Sequence, residues 1–420
     1  MSTPYLETMP HIFASFSYGL MFTILLIEAP RYLLLAFAAL VSRTDRYARG
    51  PEKPPYSLVI VGHNEQATLR QRIEALSEQS HCPDEIIVVS DGSTDAMEKD
   101  LIRMQRSGLI DGFQHLELRG GKSAGTNLAI QGCRNEYVVL ADSDTEFERH
   151  ALRNIVTRLH YSDCAAVCGN IRAANADEGL IPAMQDIEYL ICISAGKTGL
   201  DMLGQVGLVS GAFGAYRLSA LKRIGGLDPI GGEDLDLTLR LRRAGYGICF
   251  ARDAVCLTHV PATAKALIKQ RYRWERDAFN LRFRAHVMAL NPFSAHFRAR
   301  ELFSFFDFVL FEFLPTMITP FFFIYMYAYL GREVWSLLFT YFTVYGLTYV
   351  ITFLALGISE PNIGSKPLSR LPAFIVYHMI FLRCLRFLAF VSEWFFHASQ
   401  NDDYFPEKVR REVRELSRSA

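Results

Sequence analysis

The chain has 420 residues, half of them apolar, and its 44 Lys and Arg residues balance its 44 Asp and Glu residues. A net charge of zero gives no argument for a nucleic-acid partner or for any other strongly acidic partner. The apolar residues are unevenly distributed. Residues 56–261 have the mixed composition of a water-soluble domain, whereas residues 11–41 and 301–396 contain long apolar runs typical of membrane segments.

The first apolar run, His11 to Val41, predicts a retained membrane anchor, because it lacks the flanks of a signal peptide. One tilted helix, kinked at Pro30, is the simpler interpretation, and two short helices are the alternative. No Lys or Arg precedes the run, and four basic residues follow it between positions 43 and 53. This asymmetry predicts an outside N-terminus and a cytoplasmic domain after the anchor.

Short apolar runs then alternate with helical stretches such as Leu69 to Gln79. Continuous Val and Ile runs separated by helices predict a parallel sheet covered on both faces. In such sheets ligands bind at the carboxyl ends of the strands. The predicted strands are Ser57 to Val61, Glu85 to Val89, Phe113 to Leu118 and Tyr137 to Leu140.

The eight cysteines show no metal-ligand spacing. Cys164 and Cys168 are the closest pair and no CxxC occurs, which argues against a zinc site. All but Cys384 lie in the water-soluble stretch, and we expect reduced, buried thiols in a cytosolic compartment.

Acidic side chains follow two of the predicted strands. Asp91 and Gly92 end the second strand, where a carboxylate and a flexible backbone can bind a base or ribose, although Asp-Gly is also a common turn. Asp142 and Asp144 follow the fourth strand, and a pair of this kind suits Mg²⁺ or Mn²⁺ that is also bound by diphosphate oxygens. A solvated loop is the alternative.

A third acidic cluster, Glu233 and Asp234, follows paired glycines and could place a carboxylate beside an acceptor hydroxyl. The leucines at 235, 237, 239 and 241 alternate as in a strand. We nevertheless predict a helix, because Arg242 and Arg243 precede Gly245 as at a helix C-terminus.

Residues 265–300 are basic, aromatic and amphipathic, which predicts helices at the membrane surface, with an ordinary solvated face as the alternative. Within them Gln270, Arg273 and Trp274 share one helix face and could hold a diphosphate and stack on a sugar ring.

The predicted membrane spans are Phe303 to Leu330 and Trp335 to Gly357. Leu371 to Phe396 either spans as well, with Arg383 and Arg386 facing a polar cavity, or lies at the interface.

In this order, the motifs around Asp91, Asp142, Asp234 and the Gln-x-x-Arg-Trp helix resemble the processive family 2 glycosyltransferases. These include cellulose, chitin, hyaluronan and poly-N-acetylglucosamine synthases. The resemblance covers roughly residues 56–280. His63 and Gly232 depart from it, since the family often has Tyr and Thr at these places.

The resemblance implies an α/β fold: a cytoplasmic GT-A (Rossmann-like) domain combined with transmembrane and interfacial helices. The implied domains are residues 1–50 (anchor), 51–264 (catalytic), 265–300 (interface helices), 301–398 (membrane helices) and 399–420 (charged tail). The implied location is the inner membrane, with multiple passes.

The resemblance also implies residue roles. Asp234, beside Glu233, is the general base. The implied ligands of the UDP-sugar are Asn64, Glu65, Asp91, Lys122, Asp142, Gln270, Arg273 and Trp274. The implied metal ligands are Asp144 and Asp142, and the implied acceptor contacts are Ser210, Gly211, Phe213 and Trp274.

The implied activity is inverting polymerisation of sugar from UDP-glucose or UDP-N-acetylglucosamine, with the growing glycan as acceptor and export of the product across the lipid bilayer. Accessory export or regulatory proteins are further expected partners. The alternative is a non-processive enzyme that adds one sugar to a lipid acceptor.

Overall fold

The computed structural model describes residues 53–294, 297–329, 333–359 and 366–401, together with residues 26, 28–42 and 411. Most of the predicted anchor before residue 28, nearly all of the basic flank and most of the charged tail lie outside the described residues.

An eight-stranded sheet with the order β3-β2-β1-β4-β7-β6-β8-β5 forms the centre of the catalytic region. All four predicted strands are present and run parallel to one another. The strands are β1 Tyr56–Gly62, β2 Glu85–Asp91, β3 Gly112–Leu116, β4 Tyr137–Asp142, β5 Glu146–Phe147, β6 Cys164–Ala173, β7 Phe213–Arg217 and β8 Gly247–Thr258.

The prediction of an all-parallel sheet is wrong for the second half of the sheet. Strand β7 runs antiparallel to both β4 and β6, and β5 runs antiparallel to β8. Strand β6 is rich in Ala, Cys and Gly and lacks the Val and Ile runs from which the first strands were predicted. The sheet is therefore mixed.

Helices cover the sheet on both faces. The helices are α1 28–41, α2 Gln66–Glu74, α3 Met97–Arg106, α4 Lys122–Gly132, α5 Ala151–His160, α6 Leu180–Tyr189, α7 Gly196–Met202, α8 Leu218–Arg223, α9 Glu233–Arg243, α10 Ala264–Asn280, α11 Ala299–Phe308, α12 Leu314–Tyr329, α13 Glu333–Ser359, α14 Lys366–Val376 and α15 Arg383–Phe396. Segment Ala75–Glu78 continues α2 as a 3₁₀ turn, and 190–195, 281–285, 309–313 and 377–382 are π-helical. The predicted helix after the paired glycines is confirmed as α9.

The core explains the continuous apolar runs of the first strands. In β1, Leu58 and Ile60 pack into one cluster with side chains of α2, α3 and α5, whereas Val59 packs into the opposite cluster with α4 and α9. Successive strand residues point to opposite faces, so a strand covered on both faces is apolar at every position. Each such burial contributes about 1.5–3 kcal/mol.

In the part of the chain that the structure describes, three helices are long and apolar enough to cross a membrane: Ala299–Ile324, Leu338–Ile358 and Leu368–Phe396. They overlap the three predicted apolar stretches. In the third, Arg383 bonds to Glu28 of α1 and Arg386 lies 2.9 Å from Glu275 of α10. Both arginines therefore point towards carboxylates on neighbouring helices, as a membrane helix with inward-facing charges requires.

The cysteines depart from the expectation of reduced, buried thiols. Cys164 of β6 and Cys249 of β8 form a disulfide. The two residues are 85 positions apart, but β6 and β8 are neighbouring strands, so the sheet brings them together. Cys133, Cys168 and Cys256 are free and buried, whereas Cys82, Cys192 and Cys384 are free and exposed.

Candidate active site

The site lies where β1, β2 and β4 end and the antiparallel strand β7 begins. Because β7 runs against β4, the loop that enters β7 meets the carboxyl end of β4. The Asp142 N–H donates to the Ala212 carbonyl over 3.4 Å, and the Thr145 hydroxyl donates to the same oxygen over 3.1 Å. The predicted metal loop and the predicted acceptor loop are therefore adjacent.

Lys122 joins three parts of the site. Its ammonium is bonded to the Asp142 carboxylate and donates to the Gly211 carbonyl over 2.9 Å. The Gly211 N–H in turn donates to Asp234 Oδ2 over 3.1 Å. Burial acts to lower the pKa of Lys122, but Asp142, Glu233 and Asp234 hold that pKa above its ordinary value. Lys122 is therefore a charged bridge between the two acidic motifs.

Asp91 positions the start of α4. Its two carboxylate oxygens accept hydrogen bonds from the N–H groups of Gly120 (2.6 Å) and Gly121 (2.9 Å), directly before Lys122. Gly92 has a φ of +62°, and a Cβ there would lie 2.4 Å from the Arg119 nitrogen. Asp91 thus orders the loop that presents Lys122. Its predicted contact with the uridine stays a prediction.

Asn64 connects the loops that follow β1 and β2. Its side-chain oxygen accepts the Thr94 N–H over 2.8 Å, and its own N–H donates to the Ser93 hydroxyl over 3.0 Å. A φ of +61° at Asn64 matches the tolerance of asparagine for the left-handed region. Burial and the nearby Asp144 raise the pKa of the adjacent Glu65.

Asp144 is the strand-end carboxylate that Lys122 does not bind. Partial burial and the neighbouring Asp142 raise its pKa, and the Thr258 hydroxyl contacts it over 3.4 Å. Asp142 is already bonded to Lys122, whereas no described Lys or Arg lies within salt-bridge distance of Asp144. Burial first, and then the neighbouring carboxylate, disfavour the charged forms of Asp144 and Glu65.

These residues fit a divalent cation that is completed by substrate phosphates. Within the described part of the chain, no three or more His, Cys, Asp and Glu side chains are grouped to hold a metal. Mg²⁺ and Mn²⁺ are commonly held by one or two carboxylates plus phosphate oxygens, so a complete protein cage is not required. The assignment of Asp144 and Asp142 as such a site stays a prediction.

Glu233 and Asp234 begin α9, whose positive dipole end favours negative charge. Asp234 Oδ1 accepts the Leu235 N–H over 2.8 Å, so backbone groups orient both of its oxygens. Burial and Asp234 raise the pKa of Glu233, against the opposing effect of Lys122. One turn on, Asp236 bonds to Arg240 Nε (2.7 Å) and His286 Nε2 (2.8 Å).

The two positions before α9, Gly231 and Gly232, require glycine for different structural reasons. A Cβ on Gly231 would lie 2.8 Å from the carboxyl carbon of Asp277, so α10 packs directly on this loop. Gly232 has a φ of +71°, which glycine adopts without steric cost. The loop before the proposed base is thus fixed against the helix that carries Gln270, Arg273 and Trp274.

In the predicted acceptor loop, Ser210 accepts a hydrogen bond from the Lys197 ammonium over 2.8 Å. Phe213 is fully buried and packs on Gly169 and, with ring centroids 5.0 Å apart, on Phe147. The predicted acceptor contact of Phe213 is therefore corrected: its ring supports the loop from within the core and offers no surface to an acceptor.

On α10, Trp274 is 39% exposed and Gln270 Oε1 is buried without a hydrogen-bond partner among the described residues. The Arg271 guanidinium lies 4.7 Å from the Trp274 ring centroid and 2.9 Å from the Glu188 carboxylate. The Arg271 guanidinium therefore packs against the Trp274 ring. The roles of Gln270, Arg273 and Trp274 towards substrate stay predictions.

Sequence reasoning missed four residues of the site: Lys197, Thr258, Arg271 and Asp277. Thr258 lies at the end of β8 and Lys197 lies on α7, and both reach the site through long-range packing that local patterns do not show. Arg271 and Asp277 lie on the predicted α10, and the spacing of Asp277 seven residues after Gln270 was available as evidence that it shares that face.

A family model described as "Glycosyltransferase like family 2" matches residues 54–276. A poly-beta-1,6-N-acetyl-D-glucosamine synthase of Staphylococcus epidermidis is 27% identical over 248 residues, covering 59% of this chain and 58% of that protein. The synthase of that name from Staphylococcus aureus (strain COL) is 27% identical, covering 54% and 55% respectively. The chain thus matches little more than half the length of these relatives.

Among solved structures, a mannosyltransferase of Pyrobaculum calidifontis in complex with GDP-Man and Mn²⁺ matches with a TM-score of 0.54 and 16% identity. The match covers 93% of this chain and 99% of that protein. At this identity the similarity shows the fold, and it confirms the predicted GT-A architecture.

Proposed function

The chain belongs to the glycosyltransferase like family 2, and from that premise we propose that it is a membrane-embedded inverting β-glycosyltransferase that polymerises sugar from a UDP-sugar. The observation that carries the proposal is the Lys122 bridge, which brings the strand-end pair Asp142 and Asp144 together with Asp234 in one site. A donor diphosphate and an acceptor hydroxyl need these two kinds of carboxylate side by side.

In the proposed reaction Asp234 takes the proton of an acceptor hydroxyl while that oxygen attacks the anomeric carbon and the bond to the diphosphate breaks. The N–H groups of Gly211 and Leu235 orient the carboxylate before substrate arrives. With one base and no second catalytic acid, a direct displacement inverts the anomeric carbon, so an α-linked donor gives a β-linked product.

Asp144, with Asp142, would hold Mg²⁺ or Mn²⁺, and a cation bound there would supply charge to stabilise the leaving diphosphate. Lys122 and the predicted diphosphate ligands Gln270 and Arg273 would add hydrogen-bond donors to the same phosphates. The relative from P. calidifontis carries Mn²⁺ in its complex, which supports a divalent cation here.

For the donor we favour UDP-N-acetylglucosamine over UDP-glucose, because the staphylococcal relatives are named as synthases of a β-1,6-linked N-acetylglucosamine polymer. Polymerisation and export are supported by the position of α10. It contacts the loop before Asp234 through Asp277 and contacts α15 through Glu275. The rival proposal is transfer of one sugar to a lipid acceptor.

One assay separates the two proposals. Membranes containing the protein are incubated with labelled UDP-N-acetylglucosamine or UDP-glucose, and the products are resolved by size and by extraction into organic solvent. A ladder of polymer lengths is expected, whereas a single organic-extractable product would favour the lipid acceptor. Linkage-specific glycosidases then identify the bond.

Asp234→Asn tests the base. We expect transfer to be abolished while donor binding, measured by calorimetry with UDP, stays close to that of the unmodified protein, because the amide keeps the shape but cannot take the proton. Asp228→Asn is the matched control, since the Asp228 side chain is 51% exposed. Normal turnover in Asp234→Asn would remove that residue from the mechanism.

We further propose that the chain lies in the inner membrane with several passes and with its catalytic domain, residues 51–264, in the cytoplasm. Within the described residues, the helices long and apolar enough to cross a membrane begin at residue 299 or later, directly after the predicted interface region. Accessibility of single-cysteine variants to a membrane-impermeant thiol reagent, added to intact or opened cells, tests this arrangement.

A further inference from the structure

Lys197 is a buried cation beside the acceptor loop. It lies on α7 and is 7% exposed, and its ammonium donates to the Ser210 hydroxyl over 2.8 Å and to the Cys168 sulfur over 3.0 Å. No carboxylate of the described residues lies within salt-bridge distance of this ammonium. Burying an ammonium is costly, so a lysine kept here with neutral partners calls for a functional reason.

The Ser210 contact leads directly to the proposed base. Ser210 precedes Gly211, whose N–H donates to Asp234 Oδ2 and whose carbonyl accepts from Lys122. The peptide between Ser210 and Gly211 is therefore fixed on one side by Lys197 and on the other by Asp234. Among the described residues, the only other hydrogen-bonding contact of the Ser210 hydroxyl is a weak one with the Cys168 thiol, at 3.9 Å.

We propose that Lys197 is a positioning residue: by holding Ser210 it aims the Gly211 N–H at Asp234 and so fixes the direction of the carboxylate that deprotonates the acceptor. This inference rests on the proposed function of Asp234. Lys197 is itself held in place because its helix, α7, packs closely on α1: a Cβ on Gly199 of α7 would lie 2.7 Å from the Leu35 side chain of α1. Lys197 thus transmits the position of the packed helices α1 and α7 to the base.

The competing explanation is that Lys197 only fills space in the core. Lys197→Met keeps most of that volume and removes the two hydrogen bonds, so it separates the explanations. For a positioning residue we expect kcat to fall by about 100-fold, the effect of a small misplacement of a catalytic group, while KM for the donor stays unchanged. Lys222→Met, on the exposed face of α8, is the matched control.

A double-mutant cycle tests whether Lys197 acts on Asp234 through Ser210. If Lys197 acts through Ser210, Ser210→Ala and Lys197→Met give similar losses of kcat, and the double variant is no worse than the more damaged single variant. Ser210→Thr, which keeps the hydroxyl, is expected to restore most of the rate. Cys168→Ala is expected to keep most of the activity, because that contact does not lead to Asp234.

Three results would overturn the inference: unchanged kcat in Lys197→Met, losses that multiply in the double variant, or a loss confined to KM. If Lys197→Met does not fold, as judged by its melting temperature, Ser210→Ala and Ser210→Thr still decide whether the hydroxyl matters. Failure of the proposed function itself looks different, because the unmodified protein would then transfer sugar from no donor.

Discussion

Replacing Asp144 by Asn is the most direct test of the cation site, because it removes the carboxylate of the pair that Lys122 does not bind. A cation that binds only the folded protein stabilises it by about 2.7 kcal/mol at 100 times its Kd. For a domain of this size each kcal/mol raises Tm by about 2–4 °C, which gives a shift of about 5–10 °C for the unmodified protein.

We expect Asp144→Asn to lose this shift. Without metal, the variant is expected to be at least as stable as the unmodified protein at neutral pH, because burial and the neighbouring Asp142 disfavour the charged form of Asp144 and the amide carries no charge. The assay is thermal unfolding in detergent across a series of MnCl₂ and MgCl₂ concentrations at a fixed concentration of UDP, which supplies the phosphate oxygens that complete the site and requires no sugar transfer.

Glu146→Gln is the matched control, since Glu146 lies two residues further on, is half-exposed and pairs with Arg72 over 2.9 Å. It should keep the full metal-induced shift. An unchanged shift in Asp144→Asn would refute the reasoning, as would a control that loses the shift to the same extent.

Two further substitutions test the packing around the site. Gly169→Ala places a Cβ 2.0 Å from the Phe213 ring and should lower the free energy of unfolding by about 3 kcal/mol or more. The control Gly112→Ala should change the free energy of unfolding little, because nothing lies within 4 Å of the added Cβ. Equal Tm values for the two variants would contradict this account. Asp236→Asn should cost about 3 kcal/mol. Burial acts to raise the pKa of Asp236, but the opposing effects of His286 and Arg240 are larger together, so the pKa lies below its ordinary value of 3.8. The stability that Asp236 contributes is therefore complete above pH 3.8 and is lost as pH falls through the lower pKa of the folded state. The difference in Tm between the variant and the unmodified protein should therefore shrink in acid. A difference that stays constant with pH would exclude the ion pairs as its cause.

The local features of the fold were predictable from the sequence, and its long-range pairings were not. Strands β1, β2 and β4 contain continuous apolar runs, and β2 and β4 end in Asp91 and Asp142, so both the strands and these two carboxylates were visible. Strand β6 has no such run, and its pairing with β7 and β8 depends on segments 46 or more residues away.

The site shows the same division. Asp142 and Asp234 were each identified from a local motif, but their connection through Lys122 and Gly211 spans 20 to 89 positions of sequence. That connection exists because β7 runs antiparallel to β4, a reversal that no local periodicity encodes. Phe213 illustrates the opposite error: it belongs to a motif of the resemblance, yet strand alternation turns its ring into the core.

The charges in the apolar helices explain how catalysis and membrane are connected. A charge in such a region persists only when it is paired, so each pair specifies which helices are neighbours. Arg383 ties α15 to Glu28 of α1, and Arg386 ties α15 to Glu275 of α10. Since α10 also packs through Asp277 on the loop before α9, a shift of α15 would move the helix that carries Trp274 relative to the base. The ion pairs therefore fix the position of the predicted acceptor-binding helix relative to Asp234, the proposed base.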